Sequence, residues 1–128
     1  MKSSKLFALA LLLTLSLGQC RAESSSSALA CGLGIQWIEE ESGMPSTWTR
    51  RGQSNIFDAV YPTAHVTTVN RVIVSGNRVH VQRGGGSDGN KCSYEGVVGG
   101  DGRSITGSYS CLNGSSTWKA TVVCGAAK

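Results

Sequence analysis

The sequence predicts an all-β domain: an eight-stranded antiparallel up-and-down meander that closes into a barrel and carries two disulfides. Three observations predict it. The chain of 128 residues is 40% hydrophobic and 16% charged, and its 17 Gly against 2 Met are unlike the composition of a helical bundle. Short alternations of apolar and polar residues recur along it, punctuated by Gly- and Asn-containing turns. Four of its 5 cysteines lie beyond residue 30, where they match the strand pairing that the alternation suggests.

The first element is a leader. Lys2 and Lys5 precede an apolar run over 6–17, broken only by Thr14 and Ser16, and Cys20 and Ala22 offer the small residues a signal peptidase requires. The run is shorter than the roughly 20 residues that cross a bilayer as a helix, so residues 1–22 read as a signal peptide and no membrane anchor is expected after cleavage. A lipid on Cys20 is the alternative, against which stands the bulky Gln19 before it. Cleavage after Ala22 removes 22 of the 128 residues and leaves 106. It also removes Lys2, Lys5 and Arg21, leaving 9 basic groups against 8 acidic ones, a balance that gives no support to nucleic-acid binding. A Ser-rich segment over 23–30 reads as flexible, and 31–128 as one domain.

The strands follow in order. Predicted strands cover 33–40, 47–51, 55–61, 66–74, 78–83, 92–98, 104–111 and 117–124. The second and third, turning at Gly52 and Gln53, set Trp48 across from Phe57. The fourth and fifth, turning at Gly76 and Asn77, pair Val74 with Val79 and Val72 with Val81, leaving Arg71, Arg78, His80 and Gln82 on the other face. The sixth and seventh flank Gly99, Gly100, Asp101 and Gly102, and their antiparallel register aligns Val98 with Ile105, Gly96 with Gly107, Tyr94 with Tyr109 and Cys92 with Cys111. Asn113 and Gly114 suit a two-residue turn into the last strand, which sets Tyr109 against Trp118.

Four cysteines in an exported small domain imply two disulfides, for which three connectivities exist. Directly opposed strand residues lie within disulfide reach, which selects Cys92 with Cys111, and Cys31 with Cys124 follows by elimination. Placing Cys31 opposite Cys124 brings Leu33 to Val122, Ile35 to Ala120 and Trp37 to Trp118, so the first strand meets the last and the meander closes. An open two-sheet sandwich with the same hairpins is the alternative. On the loop-entropy model the two bridges contribute roughly 3 and 4.5 kcal/mol.

Chemistry is sparsely marked. No Ser stands in a strained elbow of the G-x-S-x-G kind, which weighs against a nucleophilic triad. Glu39 with Asp58 or Glu95 is the carboxylate pair that a glycoside hydrolase would need, although such acids are ordinarily solvated surface groups. Two histidines are too few for a zinc site, and the loop over 84–90 lacks the spaced acids of a calcium loop, so no metal and no cofactor are expected. That loop reads instead as a mobile rim. Trp37, Trp118, Tyr94 and Tyr109 share the parity of the apolar pairs and are assigned to the core. Trp48, Tyr61, Asp88 and Asn90 are the candidate ligand contacts, and Asn113 heads an N-glycosylation sequon.

The segments WTRRGQSNIFDAVY (48–61), VSGNRVHVQR, SDGNKCSYEG and GRSITGSYSC together resemble a small domain of bacterial exported proteins to which no activity attaches. That resemblance implies fold and export. More loosely, a Trp followed by Thr, Gly, Ser and Asn near the start of a meander is similar to the avidin and lipocalin barrels, although Ser46 stands where their pattern has Gly. No binding residue carries over.

The expectation is therefore a secreted, non-enzymatic recognition module that binds a small molecule, a glycan or a protein partner through one rim, where loops on a rigid frame carry function. An extracellular carboxylate-dependent hydrolase is the alternative class, and a structural or matrix protein a third.

Overall fold

The computed structural model describes residues 27–125; the signal-peptide reading of 1–22 lies outside them. Among the described residues nine strands run β1 (Ala30–Leu33), β2 (Gln36–Glu41), β3 (Met44–Arg50), β4 (Ile56–Tyr61), β5 (Val66–Ser75), β6 (Arg78–Gly84), β7 (Cys92–Val98), β8 (Ser104–Cys111) and β9 (Gly114–Val123). Strands β2 to β9 form a closed antiparallel barrel in chain order, and β2 pairs with β9. Both disulfides are those that the strand pairing selects, Cys31–Cys124 and Cys92–Cys111.

The period of two decides which side chains enter the barrel. Trp37, Trp48, Phe57, Val72, Val79, Val81, Tyr94, Ile105, Trp118 and Val122 fill it. Trp48 stacks between Trp37 and Trp118, with ring centroids 5.7 and 6.1 Å away, and Tyr94 meets both Trp48 and Trp118 edge-on. Trp118 rests on a shelf made by the opposed Gly96 and Gly107: a Cβ on Gly96 would stand 2.8 Å from Trp118 Cζ2. Each indole N–H is satisfied, Trp37 by Leu33 O, Trp48 by Ser46 Oγ and Trp118 by Glu95 O.

The β5–β6 and β7–β8 registers are as expected, whereas three others are displaced by an even number of residues. The β8–β9 turn uses Leu112 and Asn113, because Gly114 already pairs with Cys111; Tyr109 therefore faces Ser116, and Trp118 faces Gly107. The β3–β4 connection is a longer loop tied by Arg50 to Ser54 O and Gln53 O, which sets Trp48 against Ala59 instead of Phe57. At the seam, Gly34 adopts φ 63° in a tight turn, and an added Cβ there would collide with Val123 O. That turn detaches β1 from β2, so Trp37 faces Val122, and Trp118 faces Glu41.

Strand β1 stands outside the barrel order and crosses one end. Ala28 N donates to Gly76 O, Ala30 N donates to Gly102 O, and Leu29 is buried against the core. Where the sequence suggests a flexible segment up to residue 30, packing thus begins before Cys31. The opposite end carries the β2–β3, β4–β5, β6–β7 and β8–β9 connections and forms the mouth.

Candidate functional site

Towards the mouth the interior changes character. The inward parity of Trp37 continues into Glu39 and Glu41 on β2, that of Val72 into Asn70 and Thr68 on β5, and that of Val81 into Arg83 on β6; all five polar side chains are buried. Glu39, read from sequence as a solvated acid, is 1% exposed, because its inward register outweighs the preference of a carboxylate for water. Asp58 and Glu95, its suggested partners, point outward instead: Asp58 pairs with Arg51, and Glu95 with His80. The barrel wall separates those acids from Glu39.

Above this layer lies a cleft of about 220 Å³, bordered by Glu41, Tyr61, Arg83, Asp88, Asn90 and Tyr109. Arg83 organises it. Its guanidinium lies 4.9 Å from the centre of the Tyr61 ring, its Nη2 donates to Asp88 Oδ2 at 3.0 Å, and Glu41 is 4.0 Å from Nη1. Tyr94 OH donates to Glu41 Oε2 at 3.0 Å and stands 3.5 Å from Tyr61 OH. Burial and the neighbouring acids raise both phenols above their ordinary range. At the rim, Asn90 Nδ2 donates to Asn113 Oδ1 at 3.2 Å and Ser42 bonds Tyr109, so the β6–β7 loop spans to the β8–β9 turn. The sequon residue Asn113 belongs to this bridge.

Three of the four candidate contacts, Tyr61, Asp88 and Asn90, meet at the cleft. Trp48 does not. It is sealed in the indole stack below, where its size is used to fill the barrel. Sequence reasoning missed Glu41, Arg83 and Asn70, and raised Glu39 only as half of a carboxylate pair, although strand parity was a signal for each: every one stands two residues, or a multiple of two, from an inward apolar side chain.

The polar layer is incompletely paired. Ser46 donates to Glu39 Oε2 and Thr68 Oγ1 donates to Asn70 Oδ1, yet Glu39 Oε1, Asn70 Nδ2 and Arg83 Nε are buried without a partner among the described residues. Desolvation, reinforced by Glu41, pushes the Glu39 carboxyl up to about 8. A larger concavity of about 920 Å³ follows the outer wall, where Arg71 and Gln82 stand in solvent and leave no such deficit.

Among the described residues no group of three His, Cys, Asp or Glu is arranged to hold a metal ion, and no helix is long and apolar enough to cross a membrane. Comparison of the chain with protein-family models, curated proteins and solved structures finds no match.

Proposed function

We propose that this protein is a secreted recognition module that binds a small polar molecule at the barrel mouth. The observation carrying this reading is a cleft bordered by Arg83, a buried side chain whose Nε lacks a protein partner among the described residues. Unsatisfied buried polar groups are costly, and a site that retains them gains from a ligand able to pair them. The disulfides agree with an oxidising compartment. Native mass spectrometry of the protein purified from its producing cells tests the reading. A bound small molecule is expected, released by denaturation and lost from the Asp88→Ala/Asn90→Ala variant while its melting temperature stays within a few degrees. Retention of the adduct by that variant would move the site away from the mouth.

A second reading, a carboxylate-dependent hydrolase, draws on one observation: Glu39 and Glu41 share the interior face, and Glu39 holds its proton near neutral pH. It requires turnover of a glycoside substrate that Glu41→Gln abolishes. Unchanged turnover in Glu41→Gln removes this pair from consideration.

A further inference from the structure

Two aliphatic side chains stand in solvent where local rules favour polar ones. Leu112 occupies the two-residue β8–β9 turn, a position suited to Asn, Gly or Asp, and is 83% exposed. Ile73 lies on the outward face of β5, opposite His80, and is 51% exposed. Sequences break such rules chiefly at functional sites. Both residues border one feature, the concavity of about 920 Å³ on the outer wall.

Strand register gives this concavity its length. Ile56, Arg71, Gln82, Ser93 and Ser110 are successive cross-strand partners from β4 to β8, so it runs across five strands, about 19 Å at the usual strand spacing. Val69 and Ile73 flank Arg71 along β5, while Lys91, just before β7, and Leu112 border it from the connections at the mouth end. Its charge is of one sign. Among the described residues no carboxylate lies within ion-pair distance of Arg71 or Lys91, and no Asp or Glu borders the concavity. The acids that share this outer face are engaged: Asp58, opposite Val69, pairs with Arg51, and Glu95 bonds His80 opposite it. Such a lining draws an anion. No Phe, Tyr or Trp is part of it, so it offers no ring for the stacking that holds single-stranded nucleic acids; its apolar surface is aliphatic.

We infer that this outer wall binds an extended aliphatic anion, a long-chain carboxylate, whose charge is selected by Arg71 and Lys91 and whose chain covers the exposed aliphatic side chains. Unpaired cations and exposed aliphatic side chains around one concavity carry the inference. A small ion is too short to use both kinds of surface over such a length, and a concavity suits one molecule lying along it better than the flat face of a bilayer. The inference is independent of the mouth: Arg71, Gln82 and Ser93 have the strand parity opposite to that of the side chains inside the barrel.

The experiment titrates the full mature chain with dodecanoate below its micelle concentration, with acetate and with dodecyltrimethylammonium, and follows backbone ¹⁵N–¹H signals. Dodecanoate is expected to move the Arg71, Gln82, Ser93 and Leu112 signals saturably, with half-saturation at least about tenfold below that of either control. The double variants Arg71→Gln/Lys91→Gln and Ile73→Ser/Leu112→Ser are each expected to raise that half-saturation about tenfold or more, with melting temperatures within a few degrees of wild type because all four side chains are exposed. If Ile73→Ser unfolds the chain, Leu112→Ser alone carries the aliphatic arm, with about a threefold rise expected. Equal or tighter binding of acetate reduces the wall to a charge effect, and equal or tighter binding of dodecyltrimethylammonium to apolar contact; either overturns the inference. An unchanged half-saturation in either arm, no response to dodecanoate, or shifts confined to the mouth overturn it as well. Sedimentation with phosphatidylglycerol vesicles without any response to dissolved dodecanoate also overturns it, and assigns the wall to a bilayer surface.

Discussion

Glu39 couples the interior to solution pH. Its folded-state value of about 8 lies above the unfolded value near 4.5, so the folded chain binds the extra proton between them. The stability tied to that proton is complete below about pH 4.5 and is lost as pH rises to about 8, on the order of 5 kcal/mol at most. Urea midpoints at pH 5 and pH 8 should therefore fall for the wild-type chain and change less for Glu39→Gln; equal slopes would show that Glu39 is ionised in the folded state. Asp101 acts with the opposite sign. Bonds from Ser104 Oγ, Arg103 N and Ser104 N hold its carboxyl down to about 2, so its contribution is present at neutral pH and lost as pH falls towards that value. The Asp101 turn was legible from its Gly-Gly-Asp-Gly composition. Glu39 was not, because a preference of residue type was set above the strand period that carries Trp37 inward.

Between strands, the β7–β8 ladder depends on an absent side chain. A Cβ on Gly107 would overlap the Glu95 carbonyl across the ladder, whereas one on Gly100, in the turn, meets nothing within 4 Å. Gly107→Ala should cost more than about 2 kcal/mol in chemical denaturation and Gly100→Ala within about 0.5; a tolerated Gly107→Ala would mean that the two strands can separate locally. The β6–β7 loop is latched by Arg83 to Asp88, with Ser87 N donating to Thr67 O. Asp88→Ala should speed amide exchange at Ser87 and Gly89 while the β5–β6 ladder keeps its protection. Protection lost equally in both would make the loop part of the barrel's cooperative unit. At this scale parity was readable and absolute register only in part. Val72 with Val81 and Cys92 with Cys111 were fixed by short turns, but a turn moved by one residue, as at Leu112 and Asn113, slides the partner by two and leaves the same faces inward.

The whole molecule is a barrel with one end crossed by β1 and the other open through its loops. Closure could be argued from sequence because Cys31 and Cys124 ask the first and last strands to meet; the four-residue offset at the seam could not, since it arises from the positive φ of Gly34. The two bridges span sequence separations of 93 and 19. Replacing Cys31 and Cys124 with Ser should cost about 4.5 kcal/mol and replacing Cys92 and Cys111 about 3. Guanidinium denaturation of the two double variants checks the order, and a larger loss from the shorter loop would show that native packing, not chain entropy, sets the difference. The position of the long bridge has a mechanical consequence. Cys31 and Cys124, with Cα atoms 5.8 Å apart, join the two ends of the described fold at the rim away from the mouth. A pull applied to the chain before one and after the other is borne by a covalent bond, and the hydrogen-bonded wall between them carries none of the load.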